Sequence, residues 1–274
     1  MKCIFIEGLP GSGKTSFAKR LYEDLKAMNM KVHFFTEGNP HPIDLAWIAI
    51  FKEKDLIELY DKFPSLVPVI QDELIKEDGL YLLAYTKIKI DQDTKDFYDY
   101  CEQFEIYKVN DLNIFLDTHT HRYGNFVDGH HLEDDIFIFE CVLIQNHMNE
   151  LLINYQASQE EINQYFDQLM KPFKDVKLQI IYIKQNQIEN TLKRITDLRR
   201  STDKNLYKDW IDHVIDYVER NISYTGYKGV LDFFKNRQVT ELALLRTIKD
   251  QVDIIPLEDD YEKVYQLLKK KVIK

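Results

Sequence analysis

Residues 8–15 read GLPGSGKT, which satisfies G-x-x-x-x-G-K-[ST] at every fixed position. No other stretch restricts the fold as much, because the pattern has chemical meaning only between a buried strand and a helix. Both flanks suit it. Residues 2–6, KCIFI, are a short apolar run fit for a buried strand, and residues 14–28 set Phe17, Ala18, Leu21, Leu25 and Met28 at helical spacing. Gly8, Gly11 and Gly13 let backbone N–H groups wrap a polyphosphate with no Cβ in the way, with Ser12 and Ser16 in the same cradle. A helix starting near Lys14 turns the positive end of its dipole towards the anion. Lys14 supplies a mobile charge for the β- and γ-phosphates, and the Thr15 hydroxyl suits Mg²⁺. A nucleotide polyphosphate with Mg²⁺ is what this pattern predicts.

Further apolar runs follow at 32–35, 136–139, 178–183 and 252–255, separated by helical patterns. That alternation predicts an α/β fold with a five-stranded parallel sheet between layers of helices. Ser158 and Glu161 have capping-box spacing and open a helix towards Met170. The interval 38–135 lacks a strong strand pattern, and 44–62, 66–77 and 93–107 read as helices. It is expected to be a helical insertion over the carboxyl ends of the strands, where open α/β sheets bind ligands. With a second helical block at 205–247, no internal repeat and no Ser/Gly/Pro-rich linker, the reading is one domain over 1–274. Length alone, at about 150 residues per domain, suggests roughly 1.8.

Two carboxylates fall directly after strands, Glu37 and Glu140. Beside a phosphate-cradling loop, one can accept the proton of an attacking hydroxyl while the other holds Mg²⁺ with Thr15. Arg194, Arg199 and Arg200 follow the fourth strand in TLKRITDLRR, where planar guanidinium groups can grip phosphate oxygens. Trp47 is the best aromatic candidate for an acceptor pocket. Gln145 and Asn146 follow Glu140 and either hydrogen-bond an acceptor or cap local backbone.

Net charge limits the partners. A formal charge of −10 argues against a nucleic-acid polymer, although a local cationic pocket is compatible with it. Cys3, Cys101 and Cys141 are scattered and odd in number, which favours a reducing compartment over a disulfide framework. No run suits a signal-peptide core or a membrane span, so a cytoplasmic protein is expected. His119, His121, His130 and His131 cluster with Asp117, yet a His-x-His in a polar stretch reads as surface rather than as a metal site.

Taken together, GLPGSGKT at 8–15, FFTEG at 34–38, IFIFE at 136–140 and IIYIKQNQIENTLKRITDLRR at 180–200 resemble the P-loop kinases of the nucleoside and nucleotide kinase group, deoxyribonucleoside and thymidylate kinases included. These pieces cover well under half the chain. The resemblance implies a three-layer P-loop NTPase fold with strand order 2-3-1-4-5, an arginine-bearing lid at 187–204, often a homodimer, and ATP- and Mg²⁺-dependent transfer to a nucleoside, nucleotide or other hydroxylated small molecule. By it, Lys14, Glu37, Arg194 and Arg199 are catalytic, with Glu37 the general base. Gly8, Gly11, Ser12, Gly13, Lys14, Thr15, Ser16 and Arg200 hold the nucleotide. Glu37, Trp47, Arg122, Glu140 and Gln145 face the acceptor, and Thr15 and Glu140 hold the metal. One departure stands out. The family has an arginine after the carboxylate of the third strand, whereas Glu140 precedes Cys141 and Val142. Arg122, in THTHRYGNF, is the candidate replacement. The alternatives are a regulatory NTPase or switch, and a nucleotide-binding module without turnover. No Asn-Lys-x-Asp guanine-reading motif supports the switch.

Overall fold

The computed structural model describes residues 1–38, 40–77, 79–130 and 134–273. Along the chain come β1 (Lys2–Gly8), α1 (Lys14–Ala27), β2 (Val32–Phe35), β3 (Ala49–Phe51), α2 (Glu53–Lys62) and α3 (Val67–Glu73). Then follow β4 (Leu74–Glu77), β5 (Leu80–Leu83), α4 (Phe97–Glu102), α5 (Leu112–His130), β6 (Ile136–Glu140), α6 (Gln145–Ile153) and α7 (Gln159–Leu169). The last are β7 (Lys177–Lys184), α8 (Ile188–Leu198), α9 (Trp210–Val218), α10 (Gly226–Thr247), β8 (Val252–Pro256) and α11 (Tyr261–Val272).

Five parallel strands form the main sheet in the order β2-β6-β1-β7-β8. Numbered among these five alone, that is 2-3-1-4-5; numbered along the whole chain it differs, because three other strands intervene. Period-two alternation sends side chains to two cores. Cys3 and Phe5, Phe137 and Phe139, and Ile180 and Tyr182 face one side, packed with α5, α6, α7 and α10. Ile4 and Ile6, Ile136 and Ile138, and Ile181 and Ile183 face the other, covered by Phe17, Leu21 and Leu25 of α1 and by Val264, Tyr265 and Leu268 of α11. The strands are apolar on both faces because helices cover both. The capping box forms as spaced: Ser158 Oγ accepts from the Glu161 amide at 3.3 Å, and Glu161 accepts from the Ser158 amide at 2.8 Å.

The insertion departs from its expected helical character. It carries its own antiparallel sheet, β3-β5-β4, packed on a separate apolar cluster that includes Phe51, Leu59, Phe63, Ile70 and Phe97. The expected helix at 44–62 is helical only from Glu53, that at 66–77 stops at Glu73, and that at 93–107 shrinks to Phe97–Glu102 plus one 3₁₀ turn. A hairpin signal explains the middle case. Asp78-Gly79 separates two four-residue runs, and Gly79 takes φ +78°, a turn conformation natural to glycine. Among the described residues, no helix is long and apolar enough to cross a membrane.

Candidate active site

Parallel strands deliver their carboxyl ends to one edge, so the glycine loop after β1, Glu37 after β2 and Glu140 at the end of β6 meet there. Close packing fixes the loop. A Cβ on Gly8 would lie 2.6 Å from the Ile183 carbonyl oxygen, and one on Gly11 2.5 Å from Ile195 Cγ2 of α8. Both glycines have positive φ, as does Gly13 at the start of α1. Gln185, at the end of β7, donates from Nε2 to the Pro10 carbonyl at 2.8 Å, and its own backbone is paired both ways with the Gln238 side chain of α10. Lys14 is 5% exposed, and its Nζ donates to the Leu9 carbonyl at 2.9 Å. The buried Ser12 hydroxyl has no partner, and Ser16 is exposed on α1.

Thr15 Oγ1 donates to Glu140 Oε1 at 2.8 Å, and Cys141 Sγ donates to the same oxygen at 2.8 Å. A hydroxyl beside a carboxylate at the start of a helix is a hard-oxygen donor pair, which fits Mg²⁺ with its remaining positions left to water and phosphate. The turn behind Glu140 is held from below. Glu7, fully buried at the penultimate position of β1, accepts from the Leu143 amide at 2.8 Å and the Gln145 amide at 3.1 Å. These bonds secure a turn in which Cys141 has φ +70°, a region costly for a residue with a Cβ. Burial pushes Glu7 up to about 7 despite those amides.

Glu37 accepts from Trp47 Nε1 at 3.2 Å, and Trp47 itself sits at φ +62° with nearly half its surface exposed. Desolvation first, then the negative charges of Asp44 and Glu140, raise Glu37 to about 7. A carboxyl poised there can take a proton near neutral pH. Asp44 is buried, accepts from Tyr107 Oη at 2.8 Å and Asn146 Nδ2 at 3.2 Å, and is raised to about 6, chiefly by burial.

The arginines separate. Arg194 reaches the loop, donating from Nη2 to the Gly11 carbonyl at 3.0 Å with its guanidinium near the Tyr261 ring. Arg199 lies over Trp210, 5.2 Å from the ring centre, and Arg200 pairs with Asp197 at 2.6 Å on the surface. Gln145 anchors the turn through its backbone, while its buried side-chain oxygen has no partner. Arg122 comes from α5 and lines a cleft of about 270 Å³ with His41, Asp44 and Glu77. Glu7, His41, Asp44 and Gln185 are site residues that sequence reasoning missed. Asp44 alone left a hint, as a carboxylate three residues before Trp47 in an otherwise apolar stretch.

One histidine of the cluster departs from its expected surface role. His119 is fully buried on the inner face of α5, its ring 4.6 Å from that of His147. Desolvation holds it near 4, so it is neutral. His121 is exposed beside Asn125, His130 bonds the Phe126 carbonyl, and His131 lies outside the described residues. Among the described residues, no group of three or more His, Cys, Asp or Glu side chains is arranged to hold a metal. Compared with protein-family models and with curated proteins, the chain matches none.

Proposed function

We propose that this protein is an ATP- and Mg²⁺-dependent phosphotransferase acting on a hydroxylated small molecule. One juxtaposition carries the reading: a glycine loop with Lys14 and Thr15 faces two carboxylates, Glu140 bonded to Thr15 and Glu37 raised to about 7. Bound Mg·ATP would supply the phosphoryl group and the charge that polarises it. The loop amides and Lys14 would hold the polyphosphate, with Arg194 able to swing from the Gly11 carbonyl onto phosphate oxygens. Thr15 and Glu140 would seat the metal. Glu37 would take the proton of the acceptor hydroxyl at its Oε atoms, and it is deprotonated above about pH 7.

The test is ADP production over a panel of hydroxylated compounds, with Lys14→Ala as control. An acceptor-dependent rise that the substitution abolishes is expected. ATP hydrolysis indifferent to every acceptor would sink the reading in favour of an NTPase switch.

A further inference from the structure

A helix packed on a sheet turns an apolar stripe inward, yet α10 buries Arg237, Gln238 and Glu241 among its leucines and phenylalanines. Two of them dock the helix. Arg237 donates from Nε to Glu241 at 2.6 Å and from Nη1 to Asn149 Oδ1 of α6 at 2.6 Å, while Tyr182 of β7 donates from Oη to Glu241. Gln238 takes no part in that ion pair. Its side chain turns to residue 185, accepting from the Gln185 amide at 2.9 Å and donating from Nε2 to the Gln185 carbonyl at 2.9 Å. A backbone amide only donates and a carbonyl only accepts, so both ends of the Gln238 carboxamide are assigned.

Gln185 directly follows β7 and is 2% exposed. With its backbone clamped by α10, its side chain reaches the glycine loop, donating from Nε2 to the Pro10 carbonyl at 2.8 Å and to the Leu9 carbonyl at 3.5 Å. The Pro10–Gly11 peptide is planar and trans, so a carbonyl aimed at Gln185 aims the Gly11 N–H the opposite way. Two other fixings of the loop are cationic: Lys14 bonds the Leu9 carbonyl and Arg194 the Gly11 carbonyl. A polyphosphate draws both cations onto itself. Gln185 is neutral and buried, so its hold outlasts theirs.

We propose that Gln185 and Gln238 are positioning residues for the glycine loop: α10 sets Gln185, and Gln185 sets the Pro10–Gly11 peptide in the orientation that grips a polyphosphate. The second helical block thereby acts on nucleotide binding through one line of hydrogen bonds. The inference rests on the phosphotransferase reading, in which the loop amides hold the nucleotide. Its test reads nucleotide affinity and no turnover, so it can fail while that reading stands.

Mg·ADP is titrated by calorimetry into the full chain and its variants, with the melting temperature of each recorded. Gln185→Met keeps the length of the side chain and removes its donor; affinity should weaken about threefold to tenfold, the range of one neutral hydrogen bond. Gln238→Met should weaken it by a similar factor. The double variant should bind no more weakly than Gln185→Met alone, because both act through one line of bonds. Should Gln238→Met, which leaves two buried backbone groups unpaired, not fold, Gln238→Glu keeps the acceptor for the Gln185 amide and should weaken binding in the same direction. Leu244→Ala opens a cavity on the same helix away from this line, so it should lower the melting temperature and leave affinity within about twofold. Full affinity in Gln185→Met or in a folded Gln238 variant, additive losses in the double variant, or a loss in Leu244→Ala as large as in Gln238→Met would each overturn the proposal. A parent protein that binds no Mg·ADP would remove the phosphotransferase reading and this inference with it.

Discussion

The glycine loop and the cleft beside Asp44 adjoin the same sheet edge but handle positive charge in opposite ways. In the loop, Lys14 spends its hydrogen bond on a carbonyl oxygen, so a bound anion displaces nothing charged. In the cleft, Arg122 is neutralised by a carboxylate before any ligand arrives. A chain of net charge −10 thus keeps available cation at one end of the site and conceals it at the other. On the proposed function, the difference favours the loop over the cleft as the seat of the polyphosphate.

The hardest blow to that division is Lys14→Ala. Acceptor-dependent ADP production should fall by about 10² to 10³, the scale of removing one preorganised charge contact from a phosphoryl-transfer site. A variant that keeps more than a tenth of its rate would mean that the loop is not where the phosphate is held.

Next comes Glu37→Gln, which keeps the shape and removes the proton acceptor. Turnover should drop by about 10² or more. In the parent protein, activity should fall as pH drops through about 7, because protonated Glu37 cannot take a proton. Steady-state rates against pH check both; an acid limb that survives the substitution would place the base elsewhere, Asp44 being the first candidate.

What the sequence disclosed about these two regions tracks how local their construction is. The loop is one contiguous motif, and β1, β2, β6, β7 and β8 are compact apolar runs, so residue order alone located them. Glu37 and Glu140 followed from strand ends. The cleft joins His41, Glu77 and Arg122 through a bond spanning 81 residues and an ion pair between separate elements, and no spacing rule announces such a meeting. Glu7 was legible only as the residue before a glycine, and its grip on the turn at 143–145 exists because β1 and β6 pair. His119 was within reach: Phe115, Leu116, His119, Tyr123 and Phe126 are spaced by three, four or one along α5, and that stripe marks the buried face.

Glu7 gives a stability test of the scaffold beneath the loop. Its folded-state pKa, raised to about 7 from 4.5, lets the native protein hold a proton that the unfolded chain has lost. The Glu7 contribution should therefore be full below about pH 4.5, decline as pH rises, and be gone above about 7, whereas buried His41 and His119, lowered to about 3 and about 4, tilt stability the other way below 6.5. Glu37, Asp44 and Glu105 are raised too and add to the same slope. The difference between melts of the parent and of Glu7→Gln isolates the Glu7 share, on the order of 5 °C across that window. Glu7→Gln should lower the melting temperature while flattening the slope; an unchanged slope would show that Glu7 does not titrate there.

The smallest effect belongs to Trp47, and it bears on where the loop side ends and the cleft begins. Its indole N–H donates to Glu37 Oε1 at 3.2 Å, which favours the ionised carboxylate and opposes the larger upward push from burial and from Asp44 and Glu140. Trp47→Phe keeps an aromatic ring and deletes the donor. A hydrogen bond worth about 1 kcal/mol net corresponds to a shift of at most about 0.7 pH unit. Trp47 is 46% exposed, so water replaces part of the lost bond and about 0.3 to 0.5 unit is expected. The acid limb of the rate profile should move upward by that amount, with the high-pH plateau within about twofold of the parent. A limb that stays put would mean the indole does not touch the carboxylate during turnover. A fallen plateau would mean that Trp47 also positions the acceptor.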